Sequence, residues 1–305
     1  MQTLTERDNN LLNITWLCEI AQVSRSGFYA WKENADKRAQ REAQDRADFE
    51  LILAAYRYRG FKKGSRSIYM RLLHTGARMN RKKIQRLMRK YGLSCPIRKA
   101  NPYRRIAKAV KEHAIFPNVL NRQFKATGPK TVLLTDVTYL FYGRQQKAYL
   151  STIKDAYTHQ ILAYTLSSSL EEDFILETIH QLYEKHSLPK NFNALIHSDQ
   201  GVHYTNRQFQ TLVQNQQLRQ SMSRRGNCWD NAPQESFFGH MKDELSDLAG
   251  LDSYAQVQTM IDDYMDYYNN ERYQWTLAKC APNQYAQYIK TGDHPLQSLH
   301  LKRQK

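Results

Sequence analysis

Three carboxylates stand in settings where acids do chemistry. Asp136 lies inside the apolar run from Thr131 to Phe141. Asp199 follows the apolar run Phe192 to Ile196 by way of His197-Ser198, and Glu235 opens a helical stretch that reaches Leu245. An acid within or at the end of an apolar strand is costly without a partner, and few Lys or Arg lie near these three in sequence. A structural salt bridge accounts for either aspartate alone, and a helix dipole for an acid in a first turn. Taken together, three converging acids without soft ligands suit a hard divalent cation, Mg2+ or Mn2+, in octahedral oxygen coordination. Two such ions ~3.5–4 Å apart activate an attacking oxygen and stabilise the leaving one during in-line phosphoryl transfer.

The elements that must position these acids follow from the pattern after Pro129. Thr131 to Phe141, Lys147 to Ile153 and Gln160 to Leu166 read as an antiparallel meander, with a turn at Gly143-Arg144. Leu170 to His186 is helical by Phe174, Ile175, Ile179, Leu182 and Tyr183. Phe192 to Ile196 and Leu218 to Ser221 add two strands. Asn231 or Asp230 then caps the next helix, with Pro233 in its first turn. The expectation is an α/β layer, a mixed five-stranded sheet with flanking helices.

The first part of the chain has a different character. Of 45 Lys and Arg and 29 Asp and Glu in 305 residues, residues 1–127 hold 28 and 10, a net of +18, against 17 and 19, a net of −2, in residues 128–305. A basic arm on a nearly neutral domain fits nucleic acid; a basic surface that serves solubility or RNA is the alternative. Two helix-turn-helix outlines sit there. In the first, Thr15 to Trp31, Ser24 caps a second short helix with Phe28 and Trp31 on its inner face. In the second, Gly64-Ser65 leads into Ile68, Leu72 and Leu73, Thr75 to Arg78 breaks the helix, and Asn80 caps another with Ile84, Leu87, Met88 and Tyr91 as its apolar stripe. Off that stripe lie Arg81, Lys82, Lys83, Arg86, Arg89 and Lys90, a cationic ridge suited to phosphates and base edges in a major groove. A solvated basic helix is the other reading. Arg98 to Lys125, Pro-punctuated and basic, reads as a linker that tracks a phosphate backbone.

Composition excludes several classes. Mean hydropathy of −0.74 and the lack of any ~18-residue apolar run argue against a membrane span, and polar residues 1–10 carry no signal-peptide core. Cys18, Cys95, Cys228 and Cys280 form no C-x-x-C pair, so neither a disulfide framework nor a structural zinc is expected. The expected location is the cytoplasm.

Asp136 in Thr-Asp-Val-Thr-Tyr, Asp199 in His-Ser-Asp-Gln-Gly and Glu235 in Asp-Asn-Ala-Pro-Gln-Glu-Ser-Phe-Phe resemble the DDE motif of bacterial insertion-sequence transposases of the OrfB type, the IS-three family. The 35 residues between Asp199 and Glu235, Lys242 after them, and the tail Tyr267-Tyr268-Asn269-Asn270-Glu271-Arg272 extend the resemblance over nearly the whole chain; Tyr273-Gln274 departs where many relatives have x-His. The resemblance implies an RNase H-like integrase core, DNA cleavage at element ends with 3′-OH strand transfer, and two Mg2+ or Mn2+ ions on the three acids. It implies double-stranded DNA as partner, in terminal repeats and target, a homo-oligomer of at least two copies on DNA, a smaller upstream-encoded partner, and association with the bacterial nucleoid. Lys242, His203, Arg224, Arg225 and Trp229 are expected to meet DNA, with packing or ordinary exposure as the alternative for Lys242, His203 and Trp229. A non-catalytic DNA-binding regulator on a decayed core and an RNase H-like nuclease remain open beside the transposase. The expected segments are 1–45 and 46–95 (helix-turn-helix), 96–127 (linker), 128–248 (core) and 249–305 (helical tail).

Overall fold

Side-chain caps set where the first helices begin. In the computed structural model, which describes residues 13–96, 118–120, 126–144, 146–171, 173–186, 194–223, 231–245 and 248–297, Asn13 Oδ1 accepts the Thr15 amide at the head of α1 (Ile14–Ile20) and Ser24 Oγ accepts the Gly27 amide at the head of α2 (Arg25–Glu33). Phe28 turns inward as expected, whereas Trp31 is 45% exposed. The correction has a local cause. The next helix starts only four residues on, and Arg38 of that helix lays its guanidinium 4.0 Å from the Trp31 ring on the solvent side.

That helix, α3 (Ala35–Arg57), runs unbroken for 23 residues through position 45, where the sequence suggested a division. With α4 (Ser65–His74) and α5 (Arg81–Lys90) it encloses Ile52, Ile68, Leu72, Ile84, Leu87 and Met88. Gly76 and Gly92 end α4 and α5 with φ of +83° and +68°, a conformation that strains any side-chain-bearing residue. Asn80 Oδ1 accepts the Lys82 amide at 2.8 Å and starts α5.

The sheet consists of β1 (Val132–Tyr142), β2 (Gln146–Asp155), β3 (Ile161–Ser167), β4 (Leu195–Ser198) and β5 (Arg219–Met222), in the order β3-β2-β1-β4-β5. The first three form the antiparallel meander; β4 and β5 add in parallel. The mixed five-stranded sheet is thus as expected, with strand ends shifted by one to three residues. One face packs against α6 (Asp173–His186) and α8 (Arg207–Asn215), through Leu133, Ile153, Leu162, Phe174, Ile179, Phe209 and Val213. After Asp199 the short α7 (Val202–Thr205) precedes α8, whose cap is Asn206 accepting the Gln208 amide at 2.7 Å.

The other face packs against α9 (Ala232–Glu244) and α10 (Tyr254–Asn270). Phe237, Phe238 and Met241 of α9 share one core with Leu140, Tyr142 and Leu150 of the strands and with Val257, Ile261, Tyr264, Tyr267 and Tyr268 of α10. The segment expected as a tail therefore belongs to this core, because α10 turns a stripe of large apolar and aromatic side chains toward it. The chain then reaches α11 (Pro282–Thr291).

Phe61, between α3 and α4, enters the same core against Tyr264 and Tyr267. Around it Arg59 binds Asp263, Asp266 and Glu271, and the Lys62 amide donates to the Glu244 carbonyl. At the end of α9, Arg272 grips both oxygens of Glu244 at 2.5–3.0 Å, and the buried Tyr264 hydroxyl donates to Glu244 Oε2 at 3.1 Å. Removing one partner of a shielded ion pair strands the other. Arg272→Ala should lower stability by about 2–3 kcal/mol in urea titrations, and the double change Arg272→Met with Glu244→Leu should recover most of it.

Candidate active site

Two strands bring the aspartates side by side. The parallel register runs Val132↔Leu195, Leu133↔Ile196, Leu134↔His197. Continued by two residues, it sets Asp136 opposite Asp199, at the point where the order passes from β1 to the crossover strand β4. Open sheets of mixed order bind their ligands at such switch points, beyond the carboxyl ends of the strands.

Glu235 arrives from α9. The Gln234 amide nitrogen donates to Thr152 Oγ1, and Thr152 is the antiparallel partner of Asp136 on β2. Lys154 Nζ donates to the Pro233 carbonyl at 3.1 Å, and Asn231 Nδ2 to the Thr135 carbonyl at 3.5 Å. The first turn of α9 is thereby tied to β2 and to β1 beside Asp136. Asn231, expected as a helix cap, stands at that position in the backbone but caps nothing with its side chain, because its amide is turned toward β1. Lys154 is buried, and this pushes its ammonium down to about 7.

The electrostatics record the convergence. Burial, then the charge of Asp199, then that of Glu235 push the Asp136 carboxyl up to about 7, against the Val137 amide and Lys242, which favour its ionised form. Surrounding protein raises Asp199, although the Gly201 amide, 2.9 Å from its Oδ1, and His203 oppose the shift. Glu235 is raised by its surroundings and by Asp199. Asp199 and Glu235 still open to solvent, as at the mouth of a cleft. Among the described residues, no three His, Cys, Asp or Glu side chains are drawn together closely enough to hold a metal ion as they stand. A Cβ on Gly201 would lie 2.9 Å from Asp199 Oδ1, so the bare backbone there lets the carboxylate fold over the loop.

The remaining predicted residues divide. Lys242 is exposed, acts on Asp136 and rests 4.9 Å from the Tyr139 ring. His203 sits in α7 with its ring edge-on to Phe174, and its buried Nδ1 has no hydrogen-bond partner among the described residues. Arg224, Arg225 and Trp229 lie outside the described residues. The ridge of α5 is corrected in part. Lys83 pairs with Asp48, Arg86 with Asp45 through two bonds, and Lys90 with Glu42 and Asp45. Arg86 and then Lys90 hold the Asp45 carboxyl well below the usual range. The cause is a row of acids on α3 at three-residue intervals, lying along the row 83, 86, 90 of α5. Arg81, Lys82 and Arg89 have no ion-pair partner among the described residues. The acid row could have been found from its spacing; Gln234 and Lys154 carry no signal in sequence beyond nearness to Glu235 and to an apolar strand.

A mixed five-stranded sheet of this order, preceded by a helix-turn-helix, is the architecture of an integrase-type catalytic core with an HTH-like domain. The Integrase core domain family matches residues 126–228, a second family of the same description 216–282, and the HTH-like domain family 43–101. InsK of insertion sequence element IS150 from Escherichia coli (strain K12), a putative transposase, is 33% identical over 88% of this chain and 92% of its own length. The transposase InsF of insertion sequence IS3A from the same strain is 26% identical over 88% and 93%. A simian T-cell lymphotropic virus intasome in complex with a PP2A regulatory subunit contains a chain that is 16% identical, with TM-score 0.44, over 77% of this chain and 73% of that one. The chain belongs to the insertion-sequence transposases of the IS3 family, which carry an integrase core. It is an enzyme of DNA transposition, which sets aside the non-catalytic regulator. Among the described residues no helix is long and apolar enough to cross a membrane.

A carboxyl raised to about 7 when folded, against about 4 unfolded, has a signed consequence. Between those values the folded state holds the extra proton, so stability falls as pH rises from about 4 through about 7 and levels off above. Asp136→Asn should lack this component. In metal-free urea titrations its midpoint should exceed that of the wild type at about pH 8 and approach it near pH 4; parallel pH profiles would contradict the assignment.

Proposed function

We propose that Asp136, Asp199 and Glu235 form the catalytic centre of a Mg2+-dependent transposase that cleaves DNA at element ends and joins the freed 3′-hydroxyl to target DNA. The observation that supports the reading is the parallel pairing of β1 with β4, two residues short of Asp136 and Asp199, with the first turn of α9 fastened to Thr152 across from Asp136. The donor set fits a hard divalent ion. It is all carboxylate oxygen, and its members raise one another's affinity for a proton, which is the mutual repulsion that a shared cation relieves. The three acids would hold two Mg2+, or Mn2+, which when bound supply an activated attacking oxygen and a stabilised leaving oxygen.

The protein's own groups do the rest. Lys242, beside Asp136, holds a phosphate near the scissile bond. Arg81, Lys82 and Arg89 grip the duplex of the terminal repeats, while Lys83, Arg86 and Lys90 hold α5 against α3. His203 positions the Asp199 loop, and Arg224, Arg225 and Trp229 contact DNA from the segment before α9. Two or more copies act together on a pair of ends and a target, with a smaller upstream-encoded protein assisting recognition, in the cytoplasm at the nucleoid.

Asp136→Asn, Asp199→Asn and Glu235→Gln should each abolish Mg2+-dependent nicking and strand transfer on an end-containing duplex while DNA binding persists; cleavage by any of them would sink the centre as drawn. Mg2+ should raise the melting temperature of the wild type and leave Asp136→Asn unmoved. On the helix-turn-helix, Arg81→Ala, Lys82→Ala and Arg89→Ala should each reduce the slope of log K against log salt by ~0.9. Lys83→Ala, Arg86→Ala and Lys90→Ala should change it far less.

A further inference from the structure

Beyond the acids, β1 ends in a surface that the fold does not use. The core against α6 and α8 takes Leu133 fully and Val137 in part from one face of β1. The next two residues on that face, Tyr139 and Phe141, are 53% and 50% exposed, their rings 5.2 Å apart and edge-on to each other. Lys242 Nζ lies 4.9 Å from the Tyr139 ring and Lys147 Nζ 5.8 Å from the Phe141 ring. Among the described residues neither lysine, nor Arg144 in the adjoining turn, has an ion-pair partner. Tyr139 is three residues from Asp136, about 10 Å along the strand, and Lys242 acts on Asp136 itself. Exposed apolar surface ringed by cations asks for a ligand that is flat and apolar in one part and anionic in another. An unpaired nucleotide has both parts, and stacking on an aromatic ring serves any base.

We propose that Tyr139 and Phe141 are a stacking platform for an unpaired nucleotide at the DNA end that the acids process, with Lys242 and Lys147 on its flanking phosphates. This rests on the reading that a DNA end reaches the three acids. The platform would stabilise the opened end and offset part of the cost of unpairing it.

The test needs no catalysis. The full chain, without divalent ion, is titrated against two end-containing duplexes carrying 2-aminopurine in the terminal nucleotide, one fully paired and one with that nucleotide mismatched. The wild type should bind the mismatched end more tightly and quench its fluorescence. Tyr139→Ala with Phe141→Ala should lose the quench and weaken the mismatched end roughly 10-fold, with the paired end little changed. Tyr139→Phe, which keeps the ring, should behave as wild type and controls for misfolding. A double variant that retains both the preference and the quench overturns the platform. So does one that leaves DNA binding intact but converts a wild-type dimer to monomer in sedimentation, since the face then belongs to a second copy. If the wild type binds neither duplex, the reading of the acids as a DNA-end site fails instead.

Discussion

The helix α9 reaches the acid site from a distant part of the chain, and everything that fixes its place matters to the chemistry. At its start, Gln234 meets Thr152 and Lys154 meets the Pro233 carbonyl. At its end, Glu244 is taken by Arg272 and Tyr264. Between them, Phe237, Phe238 and Met241 lie in the core. A carboxylate in a first helical turn inherits any slide or rotation of its helix, so a site of three acids on three elements is only as well formed as this double fastening. The aspartates need no such device, because the parallel ladder of β1 and β4 carries both of them to one end of the sheet.

Much of this arrangement could be read from the sequence. Asp136 and Asp199 stand out because they interrupt or end apolar strands, and Glu235 because Pro233 marks a helix start. The sheet could be read because its strands are apolar and evenly punctuated. What could not be read depends on pairs far apart in the chain. Gln234 and Thr152 are 82 positions apart, and neither has a periodic context that predicts the other. Residues 249–305 read as an appendage since the register of α10 with α9 and the sheet appears only when all three are folded.

The basic arm teaches a related lesson about charge. Net charge counts cations, whereas binding depends on which cations remain unspent. Every acid in the first 127 residues except Glu112 precedes position 51, and three of them cross to α5 and occupy half of its ridge. The same pairs hold α3 against α5, so these lysines and arginines serve the rigidity of the helix-turn-helix rather than its reach. The arm is attached to the core by Phe61 and by the Arg59 cluster on α10, so the helix-turn-helix and the three acids are held in one frame.

The attachment of Glu244 to Arg272 ties the seat of α9 to the order in which the chain is made. During synthesis α9 emerges before α10, and until Tyr264 and Arg272 follow, Glu244 lacks its partners and the apolar face of α9 has only part of its cover. A ribosome product that stops short of Arg272 carries all three acids and the ties at the start of α9, yet lacks the ion pair that fastens the end of that helix. The far end of α9 is thereby fixed only once the chain has been made through Arg272.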